Sequence, residues 1–319
     1  MSSDVAVKKP RTRIKMTRQE IRENIAGYMF LIPWFIGIFV FTAYPMIWSF
    51  WLSLTDNSIL RQVTTFVGFD NYVRLWNDPV FWTALRVTLT YAFWQVPISL
   101  ILSLLAALAM NRKMKGIGIF RTIFYLPVIV GGTVGANIMW RLLLSEAGFV
   151  NWALGSTLGI DPLRFFSSVD LALGTLIGIT MWGIGGRMII LLAGLQQVPE
   201  ELYESATMDG AGSFRKLINI TIPMISPVIL YSLIMGIIGA LQVFDAAFVI
   251  TAGGPARSTY FFVLYLYEEA FVFGRFGYAS ALAWVLFIII MIFTGLVLRF
   301  SRGLVFYQAT SGRGGEKND

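Results

Sequence analysis

The sequence predicts an all-α membrane protein with six transmembrane helices. Hydrophobic residues make up 56% of the 319 positions and charged residues only 13%, which is more apolar surface than a soluble chain of this length can bury. Five long windows carry no charge and a sixth carries only Arg187. Each is close to or above the roughly 20 residues that cross the hydrocarbon core of a bilayer. The predicted spans are residues 25–48, 84–110, 119–142, 171–195, 222–250 and 281–300.

The chain begins with a basic tail, residues 1–23, and an apolar segment follows at once. This segment is too long for the apolar core of a signal peptide, so we expect it to remain as the first span. Pro33 and Pro45 lie inside it, where neighbouring helices can satisfy the carbonyl groups that proline leaves free. The loop that follows, residues 52–82, is long enough for a short surface helix.

The remaining spans complete one transmembrane domain, residues 24–304. A short basic loop joins spans two and three, and span four is rich in glycine, which lets helices approach closely. A polar insert, residues 196–221, separates spans four and five. The composition of the C-terminal tail, residues 305–319, predicts disorder.

The distribution of Lys and Arg predicts the orientation of the chain in the membrane. Both tails, the loop after span two and the insert after span four together hold 17 of these residues, whereas the loops on the opposite side hold five. This asymmetry places both termini and the insert in the cytoplasm. No basic stripe is interleaved with aromatic residues in a soluble domain, so we expect no nucleic-acid partner.

Several kinds of chemistry are excluded by the residues that the chain lacks. It has no cysteine and no histidine, so it can form no disulfide, no histidine metal site and no histidine proton relay. It also lacks the Gly-x-x-x-x-Gly-Lys-Ser/Thr loop that cradles the phosphates of ATP. We therefore expect no catalytic residue, no metal and no cofactor in this chain.

The polar insert is the most informative segment. Pro199 suits the first turn of a helix, and three glutamates follow near the helix N-terminus, where negative charge is favoured. Gly210 and Gly212 can end that helix in a turn with positive φ. A second amphipathic segment then leads to Pro223. The pattern predicts a helix, a tight turn and a second helix that together can dock into a cleft of a soluble partner.

This insert resembles the EAA loop of membrane subunits of binding-protein-dependent ABC importers. That loop reads Glu-Ala-Ala, three residues, Gly, nine residues and then Ile-x-Leu-Pro. At the same spacings the chain has Glu204-Ser205-Ala206, Gly210 and Ile220-Thr221-Ile222-Pro223. Ser205 and Ile222 depart from the pattern without changing the turn or the charge. The resemblance implies that the ATPase contacts Glu200, Glu201, Leu202, Glu204, Ser205, Ala206, Asp209, Gly210, Ile220 and Pro223.

Other segments resemble the carbohydrate-uptake branch of these permeases, of the maltose and glycerol-phosphate type. They are residues 66–72, 78–81, 244–245, 251–255 and 277–281. The resemblance implies a type I ABC importer fold with a cytoplasmic coupling helix, in a bacterial or archaeal cell membrane. It also implies three kinds of partner: a second, different permease, two ATPase subunits inside and a solute-binding protein outside. ATP binding would then swing the two permeases from inward-facing to outward-facing.

A sugar site combines hydrogen-bonding side chains with aromatic faces. Candidates for the substrate path are Asn137, Trp140, Trp182, Tyr231 and Gln242, together with the ionisable residues Arg187 and Asp245. Arg187 either faces the cavity or extends toward the inner surface. Asp245 either binds solute or braces the turn at residues 253–255, and we favour bracing.

These observations predict a permease subunit that carries a sugar delivered by an extracytoplasmic binding protein. One alternative is an ABC permease for a polyol phosphate or another small polar solute. A further alternative is an ion-coupled secondary transporter, which needs carboxylates or histidines near the middle of the membrane. The predicted spans contain neither at that depth, which argues against ion coupling.

Overall fold

The computed structural model describes residues 18–58, 63–112, 115–131 and 134–301. Residues 1–17 of the predicted basic tail and the predicted C-terminal tail lie outside the described residues. The chain forms two compact units, Met1–Leu52 and Ser53–Asp319.

The described residues of the first unit belong to one interrupted helix. It consists of α1 (Arg18–Ile38), a π-helical turn (Phe39–Ala43) and α2 (Tyr44–Ser53). The widened turn ends at Ala43, two residues before Pro45, which has no N–H to donate to the carbonyl four residues earlier. The stretch Ala26–Ser53 is long and apolar enough to cross a membrane, so the first candidate span ends later than the predicted residue 48.

The second unit begins with a β-hairpin, which departs from the predicted all-α fold. Strands β1 (Thr55–Ser58) and β2 (Val63–Phe66) pair antiparallel, with Thr55 opposite Phe66. The strands are rich in Thr and Val, which favour extended backbone, and Asn57 Nδ2 donates to Thr64 Oγ1 across the pair at 2.8 Å. Four residues were too few for a period-two pattern to stand out in the sequence.

Helices make up most of the second unit. In chain order they are α3 (Asp70–Trp76), α4 (Pro79–Met110), α5 (Ile117–Gly131), α6 (Val134–Leu143), α7 (Phe149–Leu158), α8 (Val169–Met181), α9 (Gly185–Leu195), α10 (Glu200–Met208), α11 (Ser213–Lys216), α12 (Ile222–Met224), α13 (Ser226–Leu241), α14 (Phe262–Tyr267) and α15 (Phe276–Ser301). Three π-helical segments interrupt this series, at Leu217–Thr221, Ala247–Thr251 and Glu268–Val272.

Two predicted spans of this unit are single, continuous helices. They are α4 and α15, and each begins before its predicted first residue, at Pro79 and Phe276 respectively. Asp78 caps α4, because its carboxylate accepts a hydrogen bond from the N–H of Val80 at 2.8 Å. Pro79 then takes the first helical position, where its missing N–H costs nothing. Helix α4 is about 48 Å long at the standard rise, and it connects the hairpin to the region of the insert.

The other three predicted spans are bent pairs of helices. The bends are 100° between Ile117–Ile129 and Val134–Leu143, 48° between α8 and α9, and 69° between Ser213–Met224 and α13. The described residues therefore contain three candidate spans, or up to six if each bent pair counts as one. The predicted fifth span, residues 222–250, differs most, because its long helix begins at Ser226 and ends at Leu241.

The second unit has two hydrophobic clusters. The larger is built mainly from α4, α8, α13, α14 and α15, and the smaller gathers α9, the end of α4 and the residues around the insert. Beside the smaller cluster, Gly185 of α9 lies very close to the backbone of α5. A Cβ on this residue would lie 1.9 Å from the carbonyl oxygen of Phe124. Glycine at the start of α9 therefore lets this helix pack directly on the backbone of α5.

Candidate functional site

The insert folds as the predicted helix and turn. Helix α10 follows Pro199 and carries Glu200 and Glu201 in its first turn. At its other end the N–H of Ala211 donates to the carbonyl of Ala206 at 2.9 Å, and the N–H of Gly210 donates to the carbonyl of Thr207 at 3.0 Å. These two bonds form a Schellman motif, which satisfies carbonyl groups that the helix end would otherwise leave free.

Gly210 is required by this motif, and Gly212 is not. Gly210 has φ of +73°, a conformation that costs L-residues with a side chain about 1–2 kcal/mol. A Cβ at Gly210 would meet no atom within 4 Å, so the requirement comes from the backbone and not from crowding. Gly212 has φ of −69° and an extended backbone, so the predicted positive φ at this second glycine is wrong.

Two side-chain contacts tie α10 to the segment that leads into α13. The hydroxyl of Tyr203 and Oγ1 of Thr221 share a hydrogen bond of 2.9 Å, and Lys216 Nζ donates to Thr207 Oγ1 at 2.7 Å. We did not predict these pairs, because they join residues on opposite sides of the turn. The available signal was weak: Tyr203 is the single aromatic residue of α10.

The predicted ATPase-contact positions divide into an exposed group and a packed group. Seven are exposed on α10 and its cap: Glu200, Glu201, Leu202, Glu204, Ser205, Asp209 and Gly210. Ala206, Ile220 and Pro223 are half-buried, and Ile220 packs against the smaller hydrophobic cluster. The structure therefore leaves most of α10 available to another molecule, while the positions after the turn hold the insert to the helices.

A cavity of about 510 Å³ brings together five of the seven predicted substrate-path residues. They are Asn137, Trp140, Trp182, Gln242 and Asp245. Helix α6 supplies the first two, the turn between α8 and α9 supplies Trp182, and the segment after α13 supplies the last two. We call this space the central cavity.

The lining of the central cavity is aromatic and polar. The rings of Trp140 and Trp182 meet edge to face, with centroids 5.6 Å apart. Trp140 Nε1 is buried and has no hydrogen-bond partner among the described residues. Asp245 is the one ionisable residue among those that the structure places in the lining. The cavity thus offers aromatic faces, amide groups and a single carboxylate. Among the described residues, no group of three or more acidic side chains could hold a metal ion.

The other two predicted residues do not line this cavity. Arg187 Nη1 donates to Ser99 Oγ of α4, and its guanidinium packs over Gly236 of α13, where a Cβ would lie 3.1 Å from Nη2. Arg187 therefore lies between three helices, and the choice between its two predicted orientations stays a prediction. Tyr231 is 53% exposed on α13 and lies outside the cavity lining.

The turn at residues 253–255 is held by threonine, which differs from the expected bracing by Asp245. Thr259 is fully buried, and its Oγ1 lies 2.7 Å from both Thr251 Oγ1 and the carbonyl oxygen of Gly254. Asp245 is exposed and lines the central cavity instead. Sequence reasoning missed Thr259, since a single threonine just after a polar turn does not indicate by itself which groups it will bond.

A buried polar network joins the hairpin region to the helices. The carboxylate of Asp78 accepts hydrogen bonds from the hydroxyls of Tyr265 and Tyr278, the second at 2.9 Å. The Arg74 guanidinium lies 4.6 Å from the centre of the Tyr278 ring. Burial raises the pKa of Asp78, but the hydrogen bonds from Tyr265, the Val80 N–H and Tyr278 outweigh it and leave the pKa below its ordinary value.

The chain is therefore a multi-pass membrane protein with an exposed, motif-bearing helix–turn–helix insert and a central cavity. It is 37% identical over 300 residues to the probable ABC transporter permease protein YesP of Bacillus subtilis. The aligned residues cover 93% of this chain and 96% of YesP. It is 33% identical to the trehalose/maltose transport system permease protein MalF of Thermococcus litoralis, covering 90% of this chain and 97% of MalF. The chain belongs to the carbohydrate-uptake family of ABC transporter permeases.

A further relative supports this family, and a solved structure shares the fold. The lactose transport system permease protein LacF of Rhizobium radiobacter is 37% identical, covering 86% of this chain and 93% of LacF. No family model matches the sequence. A chain of a bacterial alginate ABC transporter, solved in complex with an alginate pentasaccharide-bound periplasmic protein, shares the fold. It has a TM-score of 0.78 at 24% identity and covers 89% of this chain and 96% of that chain.

Proposed function

We propose that this chain is a permease subunit of an ATP-driven importer for sugars. It forms the translocation path together with a second, different permease. An extracytoplasmic binding protein delivers the sugar, and two ATPase subunits bind the insert. The observation that carries this proposal is the insert itself: a mostly exposed helix with the EAA spacing, ended by the Gly210 turn at positive φ.

The structure offers a mechanical route from the insert to the central cavity. The Tyr203–Thr221 and Lys216–Thr207 hydrogen bonds link α10 to the segment before α13. Helix α13 then runs to Leu241, and Gly239 and Gln242 at its far end line the central cavity. A displacement of α10 by closing ATPase subunits would therefore reach the cavity through one continuous stretch of chain. In this proposal ATP hydrolysis occurs in the ATPase subunits and not in this chain.

The orientation of the chain follows from its charge. We place the insert and both termini in the cytoplasm, on the basis of the excess of Lys and Arg on that side. The hairpin, at the opposite end of α4, then faces outward, where the binding protein approaches. The periplasmic protein in the alginate transporter complex supports a partner of this kind.

The lining of the central cavity favours an uncharged sugar as the solute. Trp140 and Trp182 offer faces for the apolar side of a sugar ring, and Asn137 and Gln242 offer hydrogen bonds to hydroxyl groups. Asp245 can accept hydrogen bonds from hydroxyls, but it would repel a phosphate or carboxylate. We therefore place an uncharged mono- or oligosaccharide ahead of a polyol phosphate, and ahead of acidic polysaccharides such as alginate, which a structurally similar transporter imports.

The experiment that tests the importer proposal compares two glycine variants in native membranes. Tagged wild-type chain, Gly210→Asp and Gly212→Asp are isolated in mild detergent, and the associated proteins are identified by mass spectrometry. We expect an ATPase and a second permease with the wild type and with Gly212→Asp, whose backbone is unstrained. Gly210→Asp should reach the membrane at a normal level but lose the ATPase. If no ATPase accompanies the wild type even after crosslinking, the proposal is wrong.

The solute class is tested by competition in cells that depend on this permease. Uptake of a labelled uncharged oligosaccharide is measured with an excess of unlabelled maltose, lactose or glycerol phosphate. We expect competition from uncharged sugars and none from the phosphate ester. If glycerol phosphate competes and the uncharged sugars do not, the uncharged-sugar assignment fails while the importer assignment stands.

A further inference from the structure

A second cavity, of about 710 Å³, lies beside the N-terminus of α10. It is lined by both basic and apolar side chains. The basic residues are Arg112, Lys115 and Arg121, and the apolar ones are Ile117, Leu195 and Val198. Glu200 and Tyr203 of α10 also belong to the lining. We call this space the basic pocket, and the proposed function assigns it no role.

Arg121 is the most constrained of the three basic residues. Its Nη2 donates to the carbonyl of Met110 at 2.9 Å, at the end of α4, which holds the guanidinium at the pocket wall. Its Nε is buried and has no hydrogen-bond partner among the described residues. A guanidinium has five N–H donors in a fixed planar arrangement, and buried donors in proteins are normally paired. The Nε atom itself is closed to a ligand, but the guanidinium lines the pocket, and its accessible N–H groups can donate to an acceptor such as a phosphate oxygen.

The surroundings of the basic pocket are those of a membrane boundary. It lies where the long apolar helix α4 ends and the apolar helix α5 begins. On α5, Ile119, Phe120 and Ile123 are all more than half exposed, as expected for side chains that contact acyl chains. A free phosphate ion would use only the basic side chains, whereas a phospholipid would also use the apolar lining residues and the exposed apolar side chains of α5.

We propose that the basic pocket binds the phosphate headgroup of an anionic phospholipid. Arg112 and Lys115 supply long-range attraction, and Arg121 supplies directed hydrogen bonds to the phosphate. Clusters of basic residues between helices on the cytoplasmic side of a membrane suit such headgroups. A bound lipid would touch both the start of α5 and the first turn of α10, and so would hold α10 against the helices. That consequence for coupling, and the placement of the pocket on the cytoplasmic side, rest on the proposed function, whereas the side chains that would bind the lipid do not depend on it.

The test measures which lipids stay bound to the full-length chain. The protein is reconstituted in vesicles of phosphatidylcholine with one quarter phosphatidylglycerol and released into mild detergent, and bound lipids are counted by native mass spectrometry. We expect wild type to retain phosphatidylglycerol over phosphatidylcholine by about tenfold or more, because each basic side chain contributes on the order of fivefold. The triple variant Arg112→Gln, Lys115→Gln, Arg121→Gln should lose most of this preference.

A charge-matched control separates a defined site from general attraction. The variant Arg18→Gln, Arg22→Gln, Arg215→Gln removes the same charge from exposed positions outside the pocket lining, and it should keep the wild-type preference. Equal losses in both triple variants would overturn the proposal. Because Arg121 also binds the end of α4, the double variant Arg112→Gln, Lys115→Gln serves if the triple variant fails to fold. This double variant should also lose preference, and retention of the full preference would overturn the proposal.

A second arm distinguishes a lipid from a soluble phosphate. Thermal unfolding of the lipid-depleted chain is measured with inorganic phosphate or with phosphatidylglycerol in mixed micelles. Stabilisation by the lipid alone, lost in the pocket variants, supports the proposal. Equal stabilisation by inorganic phosphate would assign the pocket to a soluble anion and overturn the lipid assignment. Neither readout depends on transport, so failure here is distinct from failure of the importer proposal.

Discussion

The regions beside the two ends of α4 differ in how many of their polar groups are buried. The hairpin end, formed by β1, β2, α3 and Asp78, buries polar groups: Ser53, Thr55 and Asn71 are each less than 8% exposed. The coupling end, residues 196–224, contains α10, which has no buried residue. The hairpin end is therefore stabilised by its own contacts. The coupling end keeps a mostly exposed helix, whose remaining surface is free for a partner to bury.

The contacts at each end show the physical origin of this difference. Asn71 Nδ2 donates to the carbonyls of Ser53 and Thr55, both at 2.9 Å and both buried, which locks α3 onto the hairpin. At the coupling end, α10 is joined to the following segment by the side-chain hydrogen bonds of Tyr203 and Lys216. Thr221 is itself buried, but its Oγ1 also donates to the carbonyl of Lys216 at 3.3 Å, so it keeps a partner when the Tyr203 hydroxyl is lost. Losing a buried partner without a substitute costs more, so substitutions at the two ends should have different consequences.

The largest loss of stability is expected from a substitution at Gly277, where the hairpin end contacts α15. A Cβ there would lie 1.9 Å from the carbonyl oxygen of Thr55, so both backbones would have to move. Gly277→Ala should destabilise the folded protein by about 3 kcal/mol, measured as a lower thermal unfolding midpoint in detergent. Gly295→Ala in the same helix is the control, because its Cβ would meet nothing within 4 Å. Similar midpoints for the two variants would contradict the close packing of the hairpin end.

A smaller, local effect is expected from Tyr203→Phe at the coupling end. The variant loses the 2.9 Å hydrogen bond to Thr221, which contributes about 1 kcal/mol. Hydrogen exchange in α10 should then be about fivefold faster, while exchange in α3 and the global unfolding midpoint stay unchanged. Tyr231→Phe, at an exposed position of α13, serves as the control. A fall in the global midpoint would show that the coupling end is not the independent region that this comparison describes.

The smallest effect is a pH dependence confined to the hairpin end. The pKa of Asp78 is below its ordinary value in the folded chain, so its ionised form stabilises the fold. This contribution is complete above the ordinary carboxyl pKa of about 3.9 and is lost as the pH falls through the lowered value. Asp78→Asn should remove this part of the loss of stability in acid. The measurement is the thermal unfolding midpoint between about pH 6 and about pH 3. An unchanged acid dependence in the variant would assign it to other carboxyl groups.

Sequence reasoning succeeded where the physical signal is local. Apolar windows predicted the helices that became α4 and α15, because crossing a bilayer requires a long run of apolar residues. The helix and turn of the insert were predicted because the glutamates and Gly210 determine where a helix begins and ends within one or two turns of their own positions. Five of the seven residues predicted for the substrate path also line one cavity, although their role stays a proposal.

Sequence reasoning was weaker where the decisive contacts join distant residues. The bends between α8 and α9 and before α13 break predicted spans, and the placement of Arg187 against Ser99 was not predicted. The hairpin was missed because its strands are short, and Thr259 was missed because a single threonine can serve many roles. Each of these features depends on what another segment of the chain presents to it.

The sequence by itself determined the family, the membrane-spanning character and the position of the insert, because motif spacing and hydropathy are properties of contiguous residues. Only the tertiary structure decided which residues share the central cavity and which basic residues gather beside α10. It also decided that Asp245 faces the cavity while Thr259 holds the neighbouring turn. These outcomes depend on the angles at which bent helices meet, and those angles are set by packing between segments far apart in the chain.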